Sequence, residues 1–384
     1  MTKIRDIYLD NAATSYPKPA EVAAAIKDAL EVCGGNPGRG GHHLALAAGE
    51  LLYETRERAA NFFGCYDPFR LTFTLNITMA VNLVLRGFLR PGDHVLVSAM
   101  EHNAVMRPLT FLQTQGVTVT TLPSLADGTV DLEHIDECFR PETKLVCVCH
   151  ESNVNGVIQP IREIGKIVRE HGAMLLADCA QSAGHVPLSI EDDNIDFLCF
   201  TGHKGLLGPT GTGGVVFGNR VDLSTVTPLV FGGTGSLSDS TEQPDFMPDR
   251  FESGTQNVAG LAGLNAGMKW LEANDYVKLG EEVREKTIAL CEGLANIPGV
   301  RVYRAADPNC QGSVVSITKA GVDNGLAAMR LEDEYGIMTR IGLHCAPCAH
   351  RTLGTFPDGT IRFGLSPFTT WDEIEVCITA CSAL

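Results

Sequence analysis

The feature that most constrains the fold is an alternation of short apolar runs with amphipathic helical segments. Four runs rich in β-branched and apolar residues have the composition of buried strands, namely 94–98, 144–149, 173–177 and 196–200. Between such runs lie segments with apolar residues at helical spacing, for example 160–171, which Gly172 ends. Nearly continuous apolar strands are covered on both faces, so the pattern predicts an α/β fold with a parallel or mixed sheet between helices.

Each of the four runs leads directly into polar side chains of the kinds that bind ligands or react. In chain order these side chains are His102, Asn153, Asp178, Gln181, Thr201, His203 and Lys204. Ligands of open α/β sheets bind outside the carboxyl ends of the strands. We therefore predict that these side chains form one site at one edge of the sheet.

The pattern of the chain changes after residue 255. From there, long helical segments such as 280–295 precede short apolar runs. We predict a large domain over residues 15–255 and a smaller α+β domain made of residues 1–14 and 256–384.

The segment 231–253 is rich in Gly, Ser, Asp and Pro and has little periodicity. Loops of this length are uncommon unless they are functional or disordered. We expect this loop to cover an active site, either its own or that of a neighbouring subunit, and plain disorder is the alternative.

Composition excludes several classes of protein. A formal net charge of −16 argues against nucleic acid or an anionic membrane as the main partner. No apolar run approaches the roughly 18–20 residues that span a bilayer, and no secretory signal is visible at the start. The 13 cysteines are scattered and odd in number, which favours reduced thiols in a cytoplasmic protein. Most are expected to be small core residues.

Lys204 and Asp178 together suggest a particular cofactor. A lysine in a glycine-rich loop is usually a solvated charge, but Asp178 ends the preceding predicted strand. A Schiff-base lysine and a carboxylate for the pyridinium N–H are the two protein groups that pyridoxal 5′-phosphate (PLP) most needs. Both residues can reach one ring, since they lie one strand–loop–strand step apart.

Phosphate donors are available beside this pair. Residues 76–79 lie between a strand-like run and a helical pattern, so the amides there and the Thr78 hydroxyl suit an anion site at a helix N-terminus. The simpler interpretation is that Thr78 is the N-cap of the helix. Thr201 and His203 flank the lysine. There is no Walker motif and no G-x-G-x-x-G after a strand, so a nucleotide site is not expected.

Two further residues have a functional and a plain interpretation. His102 suits stacking on a cofactor ring or proton transfer, and otherwise it is a hydrogen-bonded loop histidine. Arg362 lies in a short apolar run and suits a two-point grip on a carboxylate. A surface salt bridge is the alternative for Arg362.

Seven motifs in order resemble the PLP-dependent class V aminotransferase-like family, and specifically its cysteine desulfurases and selenocysteine lyases. The motifs are YLDNAA at 8–13, EHNA at 101–104, SNVNG at 152–156, DCAQS at 178–182, TGHK at 201–204, FESGT at 251–255 and RIGLHCA at 340–346. The last is similar to the SUF-type branch. The resemblance covers nearly the whole chain and implies PLP-dependent transferase fold type I.

The resemblance also implies a role for each matching residue. Lys204 would carry the cofactor and move the Cα proton, and His102 would stack on the ring. The other expected cofactor contacts are Asp178 at the pyridine nitrogen, Gln181 and Asn153 at O3′, and Ile77, Thr78, Thr201 and His203 at the phosphate. The expected substrate contacts are Arg362, Asn153, Asn11 and Arg340. Thr255 would reach the phosphate of the neighbouring subunit, which implies a homodimer.

The implied activity is desulfuration of L-cysteine, in which Cys345 takes the sulfur as a persulfide and L-alanine is released. The sulfur would pass to a protein acceptor, as in iron–sulfur cluster assembly. Cys345 would need activation, from His344, His102 or the cofactor. One alternative is a selenocysteine lyase acting on L-selenocysteine, which need not require Cys345. Another is a PLP-bound scaffold that docks sulfur-carrier proteins.

The stretch RIGLHCAPCAHR at 340–351 places Cys345 and Cys348 between His344 and His350. Zinc would require two further ligands at structural spacing, so no metal is predicted. A dithiol switch through Cys348 is a second possibility. The favoured interpretation is one working thiol, Cys345.

Overall fold

The computed structural model describes residues 6–38 and 40–384. Over these residues the strands are β1 Ile7–Tyr8, β2 Leu71–Thr74, β3 His94–Val97, β4 Thr118–Thr121, β5 Thr143–Cys149, β6 Met174–Asp178, β7 Phe197–Thr201, β8 Gly213–Phe217, β9 Val300–Tyr303, β10 Val314–Lys319, β11 Ile337–Met338, β12 Arg340–Gly342 and β13 Thr360–Gly364. The α-helices are α1 Ala20–Glu31, α2 His43–Phe62, α3 Ile77–Phe88, α4 Asn103–Gln113, α5 Ile161–Glu170, α6 Val258–Ala273, α7 Tyr276–Ala295, α8 Asn324–Tyr335, α9 Pro347–Thr352 and α10 Trp371–Ala383.

A seven-stranded sheet has the order β2-β8-β7-β6-β5-β3-β4. Strands β4, β3, β5, β6 and β7 are parallel to one another, and β8 is antiparallel to both β7 and β2. The four apolar runs of the sequence form β3, β5, β6 and β7 at the centre of this sheet. The predicted α/β fold with a mixed, mostly parallel sheet is confirmed.

Helices cover both faces of this sheet. Successive residues of β6 point to opposite faces, so Leu175 packs in one core with Ile164 of α5, and Leu176 packs in another with Val84 of α3. Both leucines are fully buried. This is why the central strands are apolar at every position rather than at every second one.

A second, four-stranded antiparallel sheet has the order β12-β13-β10-β9. Its core includes Ile317, Leu290 of α7, Leu331 of α8 and Ile374 of α10. Strand β1 pairs with β11 beside it. Helix α6 packs on α1 and α2, and its Leu264 belongs to the core of the large sheet. The predicted domain boundary at residue 255 stays a prediction.

The loop 231–253 contains no helix or strand, and its side chains are nevertheless anchored. The Gln243 side chain donates to the carbonyls of Asp249 and Arg250 and to the Ser253 hydroxyl. No helix in the described part of the chain is both long and apolar enough to cross a membrane.

Candidate active site

The parallel strands β3, β5, β6 and β7 bring their carboxyl ends to one edge of the large sheet. In this register Asp178 pairs with Cys149 on one side and with Cys199 on the other. Asp178 therefore stands at the middle of the edge. The cysteines beside it are fully or almost fully buried, as the sequence predicted for core thiols.

Asp178 is a buried carboxyl group, 3% exposed. Burial raises its pKa, while a hydrogen bond from the Ala180 amide and the charge of Lys204 oppose the rise. One oxygen accepts from that amide at 3.0 Å. An anion held in an apolar strand end suits a cationic N–H partner, because that partner would compensate its burial.

Lys204 follows β7 and is half-buried. Burial lowers its pKa to about 8, with Asp178 opposing the shift and Arg362 adding to it. Within residues 6–38 and 40–384, its ammonium group makes no hydrogen bond or ion pair. A much larger share of Lys204 is therefore a neutral amine near neutral pH than for an ordinary lysine, which suits attack on a carbonyl or removal of a proton.

His102 is the N-cap of α4, where its Nδ1 accepts from the Ala104 amide at 3.0 Å. Burial, Lys204 and Arg340 lower its pKa to about 4, so the ring is neutral. Because Nδ1 is an acceptor, Nε2 carries the proton. The structure thus confirms a hydrogen-bonded loop histidine, and it leaves a neutral ring with one free N–H, which can also stack.

Arg362 is 1% exposed and is no surface residue. Its Nη2 donates to Asp10 at 2.7 Å, its Nη1 donates to the Asn153 carbonyl at 3.1 Å, and its Nε is buried without a partner among the described residues. Arg340 pairs with Arg362 across β12 and β13. Two neighbouring guanidinium groups form a site for a carboxylate. The alternative of a surface salt bridge is wrong.

Amide side chains connect the site to the start of the chain. Asn153 donates to the His344 carbonyl at 2.7 Å, and its buried Oδ1 has no partner among the described residues. Gln181 donates to the Ala12 carbonyl at 2.9 Å. Asn11 donates to the Gly364 carbonyl at 3.0 Å and accepts from the Tyr16 amide. Both the NH2 group and the oxygen of the Asn11 side chain therefore bond to other parts of the protein.

The expected phosphate residues lie on three different segments. Asn76 caps α3 by accepting from the Met79 amide at 3.0 Å, so the interpretation of Thr78 as the N-cap is wrong. Asn is at least as favourable an N-cap as Thr, and Asn76 is the last residue with an extended backbone before the helix, so Asn76 takes the role that was expected of Thr78. Thr78 is exposed in the first turn and Ile77 is buried.

The other two phosphate candidates flank Lys204 and already have protein partners. Thr201 Oγ1 donates to the Thr212 carbonyl at 3.3 Å, and His203 Nδ1 lies 3.1 Å from Thr14 Oγ1. Thr255 is exposed and lines a surface groove with Met79, beside the start of α3. Whether a second subunit meets this groove stays a prediction.

Cys345 lies in the turn between β12 and α9 and its side chain is exposed. His344 and Cys345 have φ values of 49° and 59°, in the left-handed region that non-glycine residues rarely adopt. The Asn103 amide binds the Cys345 carbonyl at 2.8 Å, and Arg340 Nη2 lies 3.8 Å from the sulfur. Arg340 thus offers a positively charged hydrogen-bond donor to the sulfur.

His344 is buried and bonds Thr360 through Nε2 at 3.0 Å. Burial and Arg362 lower its pKa to about 2, so its ring is neutral. Neutral His344 supplies no positive charge to Cys345, and Arg340 is the cation that the structure places there. Arg340 lies only five residues before Cys345, but their contact depends on the left-handed turn at 344–345, which the sequence did not indicate.

Cys348 is half-buried in the first turn of α9. Burial raises its pKa, and Arg351 opposes the rise while Glu101 adds to it. Across the described residues, no group of three or more His, Cys, Asp and Glu side chains has the arrangement of a metal site.

Sequence reasoning assigned no role to two acidic residues of this region. Asp10 holds Arg362. Glu101 is fully buried, and one of its oxygens accepts from Ser98 at 2.6 Å and from the Cys149 amide at 2.7 Å. Burial raises its pKa to about 8. Both residues lie inside motifs quoted above, which was the only signal of them in the sequence.

The residues present fit PLP. Asp178 suits the pyridine nitrogen, and the unpaired amine of Lys204 suits the aldehyde. The free Oδ1 of Asn153 and the free Nε of Arg362 are buried polar atoms that face no other described partner. The fold and these groups define a PLP-dependent enzyme of fold type I.

The chain belongs to the aminotransferase class-V family, whose model matches residues 7–376. This family is PLP-dependent. The chain is 34% identical to a probable cysteine desulfurase of Methanothermobacter thermautotrophicus over 97% of its own length and 93% of that protein. It is 31% identical to the cysteine desulfurase CsdA of Escherichia coli, over 97% and 92% of the two chains.

A solved structure of a cysteine desulfurase also has the same fold as this chain. The apo structure of a cysteine desulfurase from Thermococcus onnurineus NA1 is 30% identical and superposes with a TM-score of 0.92. The match covers 98% of this chain and 94% of that one.

Proposed function

We propose that this protein is a cysteine desulfurase that removes sulfur from L-cysteine and gives L-alanine and a persulfide on Cys345. The observation that carries the proposal is the exposed Cys345 thiol beside Arg340, on a turn tied by Asn153 and Asn103 to the edge of the sheet that holds Lys204 and Asp178. A transaminase needs no such thiol.

Substrate binding follows from the two arginines. The carboxylate of L-cysteine binds Arg362 at Nε, which has no partner among the described residues, and Arg340 lies beside it. Asn153 Oδ1 can accept a hydrogen bond from the amino group of the substrate. Bound PLP withdraws electrons from the substrate Cα and so makes its proton acidic. The neutral amine of Lys204, with a pKa of about 8, accepts that proton.

Sulfur transfer requires the thiolate of Cys345. It attacks the sulfur of the substrate, so a new S–S bond forms while the C–S bond breaks and leaves its electron pair on the substrate carbon. Two protons then complete L-alanine: one adds to that carbon, where the Nε2–H of His102 can deliver it, and Lys204 returns to Cα the proton that it removed. Arg340 stabilises the attacking thiolate through its charge.

The proposal extends to the assembly. Thr255, exposed on its groove, would bind the phosphate of a neighbouring subunit, so the working unit is a homodimer with the loop 231–253 at the shared surface. The exposed position of Cys345 allows a protein acceptor to take the persulfide sulfur, which is the form of sulfur that iron–sulfur cluster assembly uses.

The test is incubation of the PLP-loaded protein with L-cysteine, with alanine measured and the persulfide located by peptide mass. Cys345→Ser should abolish the persulfide and retain PLP absorbance, and Cys348→Ser is the matched control. Sulfur transfer by the Cys345→Ser variant would contradict the proposal. Alanine release from L-selenocysteine by that variant would instead favour a selenocysteine lyase.

A further inference from the structure

A second buried acid–base pair, Glu151 with His185, lies close to Lys204 and has no part in the chemistry above. Glu151 is fully buried, and one of its oxygens lies 2.6 Å from Nε2 of His185. Its other oxygen accepts from the amide of Ser313 at 2.9 Å and from the hydroxyl of Ser313 at 3.0 Å. Three donors converge on this one carboxylate.

This arrangement determines where the proton of His185 lies. Burial by itself would raise the pKa of Glu151, but the charge and hydrogen bond of His185 and the Ser313 donors outweigh burial and lower it. Glu151 is therefore an anion that only accepts hydrogen bonds. Nε2 of His185 must be the donor, so Nδ1 is the atom that can gain or lose a proton. A carboxylate that orients an imidazole in this way is a common acid–base arrangement.

The free nitrogen of His185 is directed at the backbone that carries Lys204. A side-chain carbon added to Gly205, the residue after Lys204, would lie 3.2 Å from Nδ1 of His185. Gly184 has a φ of 103° and packs against the Gly205 carbonyl, where an added Cβ would come within 2.2 Å. Two glycines therefore allow the His185 ring to pack against the backbone next to Lys204.

His185 and Lys204 also line the same partly open cavity, which has about 30 Å³ of space for water. Asn11, Gln181 and Ser366 are among its other walls, whereas His102 and Cys345 are not. The cavity therefore borders Lys204 but neither His102 nor Cys345.

We infer that His185, oriented by Glu151, is a proton relay for Lys204 across this cavity. When Lys204 is an ammonium, Nδ1 of His185 accepts its proton and the amine is restored; when the amine needs a proton, Nδ1 returns it. Nε2 keeps its bond to Glu151 throughout, and no electrons are exchanged. This inference rests on the proposed function, in which Lys204 is the base.

The surroundings explain why Lys204 needs such a partner. Arg362 and Arg340 are cations near Lys204, and Asp178 is assigned to the cofactor. Among ionisable groups, Glu151 bonds His185, His150 lies near it, and Lys204 lines the same cavity. His150 is buried, bonds Ser182 at 2.8 Å and has a pKa lowered to about 4 by burial, so it is neutral. Glu151 is the anion that can stabilise a transient imidazolium.

The test compares His185→Gln with Ser316→Ala. The glutamine side chain can still donate a hydrogen bond to Glu151, but it cannot take up or release a proton. Ser316 is a matched control because it is a buried β10 serine that bonds the Val154 carbonyl at 2.5 Å and does not contact the pair. We expect His185→Gln to lower kcat about 10-fold near neutral pH, with the deficit shrinking above about pH 8, where solvent leaves Lys204 neutral. Ser316→Ala should show no such pH dependence.

A second measurement needs no turnover. Apoprotein is mixed with PLP and its capture is followed by absorbance, because capture requires Lys204 to lose a proton. His185→Gln should slow capture near neutral pH, and imidazole in the buffer should restore the rate in His185→Ala. Equal loss at every pH, or no effect of imidazole, would overturn the relay and leave a structural role. If the wild-type protein releases no alanine, the proposed function fails, and the capture experiment still decides the relay.

Discussion

At the scale of single residues, charge placement decides the chemistry. Arg340, Arg362 and Lys204 are cations on one site, and each lowers the pKa of another basic group there. The result is a neutral His102, a readily deprotonated Lys204 and a cation beside Cys345. The sequence predicted His102 and Lys204 after strand ends and Arg362 within a short apolar run. It could not predict that Arg340 rather than His344 faces the thiol, because that depends on the left-handed turn at 344–345.

The first prediction concerns the pH at which Lys204 becomes reactive. Burial holds its pKa at about 8, and the charge of Asp178 raises it. Removing that charge in Asp178→Asn should lower the pKa further, so labelling of Lys204 in the apoprotein by an amine reagent should begin at a lower pH. Asp196→Asn is the control, since Asp196 lies at the opposite end of β7, where it accepts from the Leu175 amide. A rise in the labelling pH of Asp178→Asn would contradict the assignment.

The second prediction concerns Arg340. Its guanidinium lies 3.8 Å from the Cys345 sulfur, so Arg340→Gln should remove a positively charged donor from the sulfur and slow alkylation of Cys345 by iodoacetamide about 3-fold or more near neutral pH. Arg351→Gln is the matched control, because Arg351 acts on Cys348. Unchanged alkylation of Cys345 in Arg340→Gln would show that the charge does not activate the thiol.

At the scale of elements, the ends of strands and helices hold the site together. The sequence predicted the strands β3, β5, β6 and β7 and the helix at 160–171 to within about two residues, since apolar runs and periodicity mark them directly. It did not identify Asn76 as the cap of α3. Asn76 and Thr78 both suited that role, and only the backbone geometry distinguishes them.

The third prediction tests this helix end. Asn76→Ala should cost about 1 kcal/mol of unfolding free energy, because the Met79 amide loses its acceptor. Thr78→Ala should change the free energy of unfolding by less, as Thr78 is exposed and caps nothing. Urea unfolding measures both. A larger loss for Thr78→Ala would restore Thr78 as the structural residue.

At the scale of the whole molecule, contacts distant in sequence join its parts. The loop 231–253 is joined to the large sheet by the buried pair of Glu252 with Arg56, whose two hydrogen bonds are both 2.7 Å. Glu252 also accepts from the Phe73 amide. Such pairs, like Glu151 with His185, could not be predicted from one sequence, because nothing local indicates which acid meets which base.

The fourth prediction concerns that buried pair. Glu252→Gln should lower the free energy of unfolding by roughly 3 kcal/mol, because Arg56 is left as a buried cation. Glu54→Gln breaks the exposed pair with Lys269 and should cost about 0.5 kcal/mol or less. Similar losses for the two variants would show that Glu252 is not the contact that holds the loop.

The most direct measurement of the central claim is the location of the sulfur after one turnover. The PLP-loaded protein is mixed with L-cysteine, quenched with an alkylating reagent that preserves persulfides, and mapped by peptide mass alongside the alanine formed. A desulfurase that works through Cys345 gives one added sulfur on Cys345, in equal amount to alanine, and none on Cys348. Alanine without sulfur on Cys345, or a persulfide that persists elsewhere in Cys345→Ser, would contradict it.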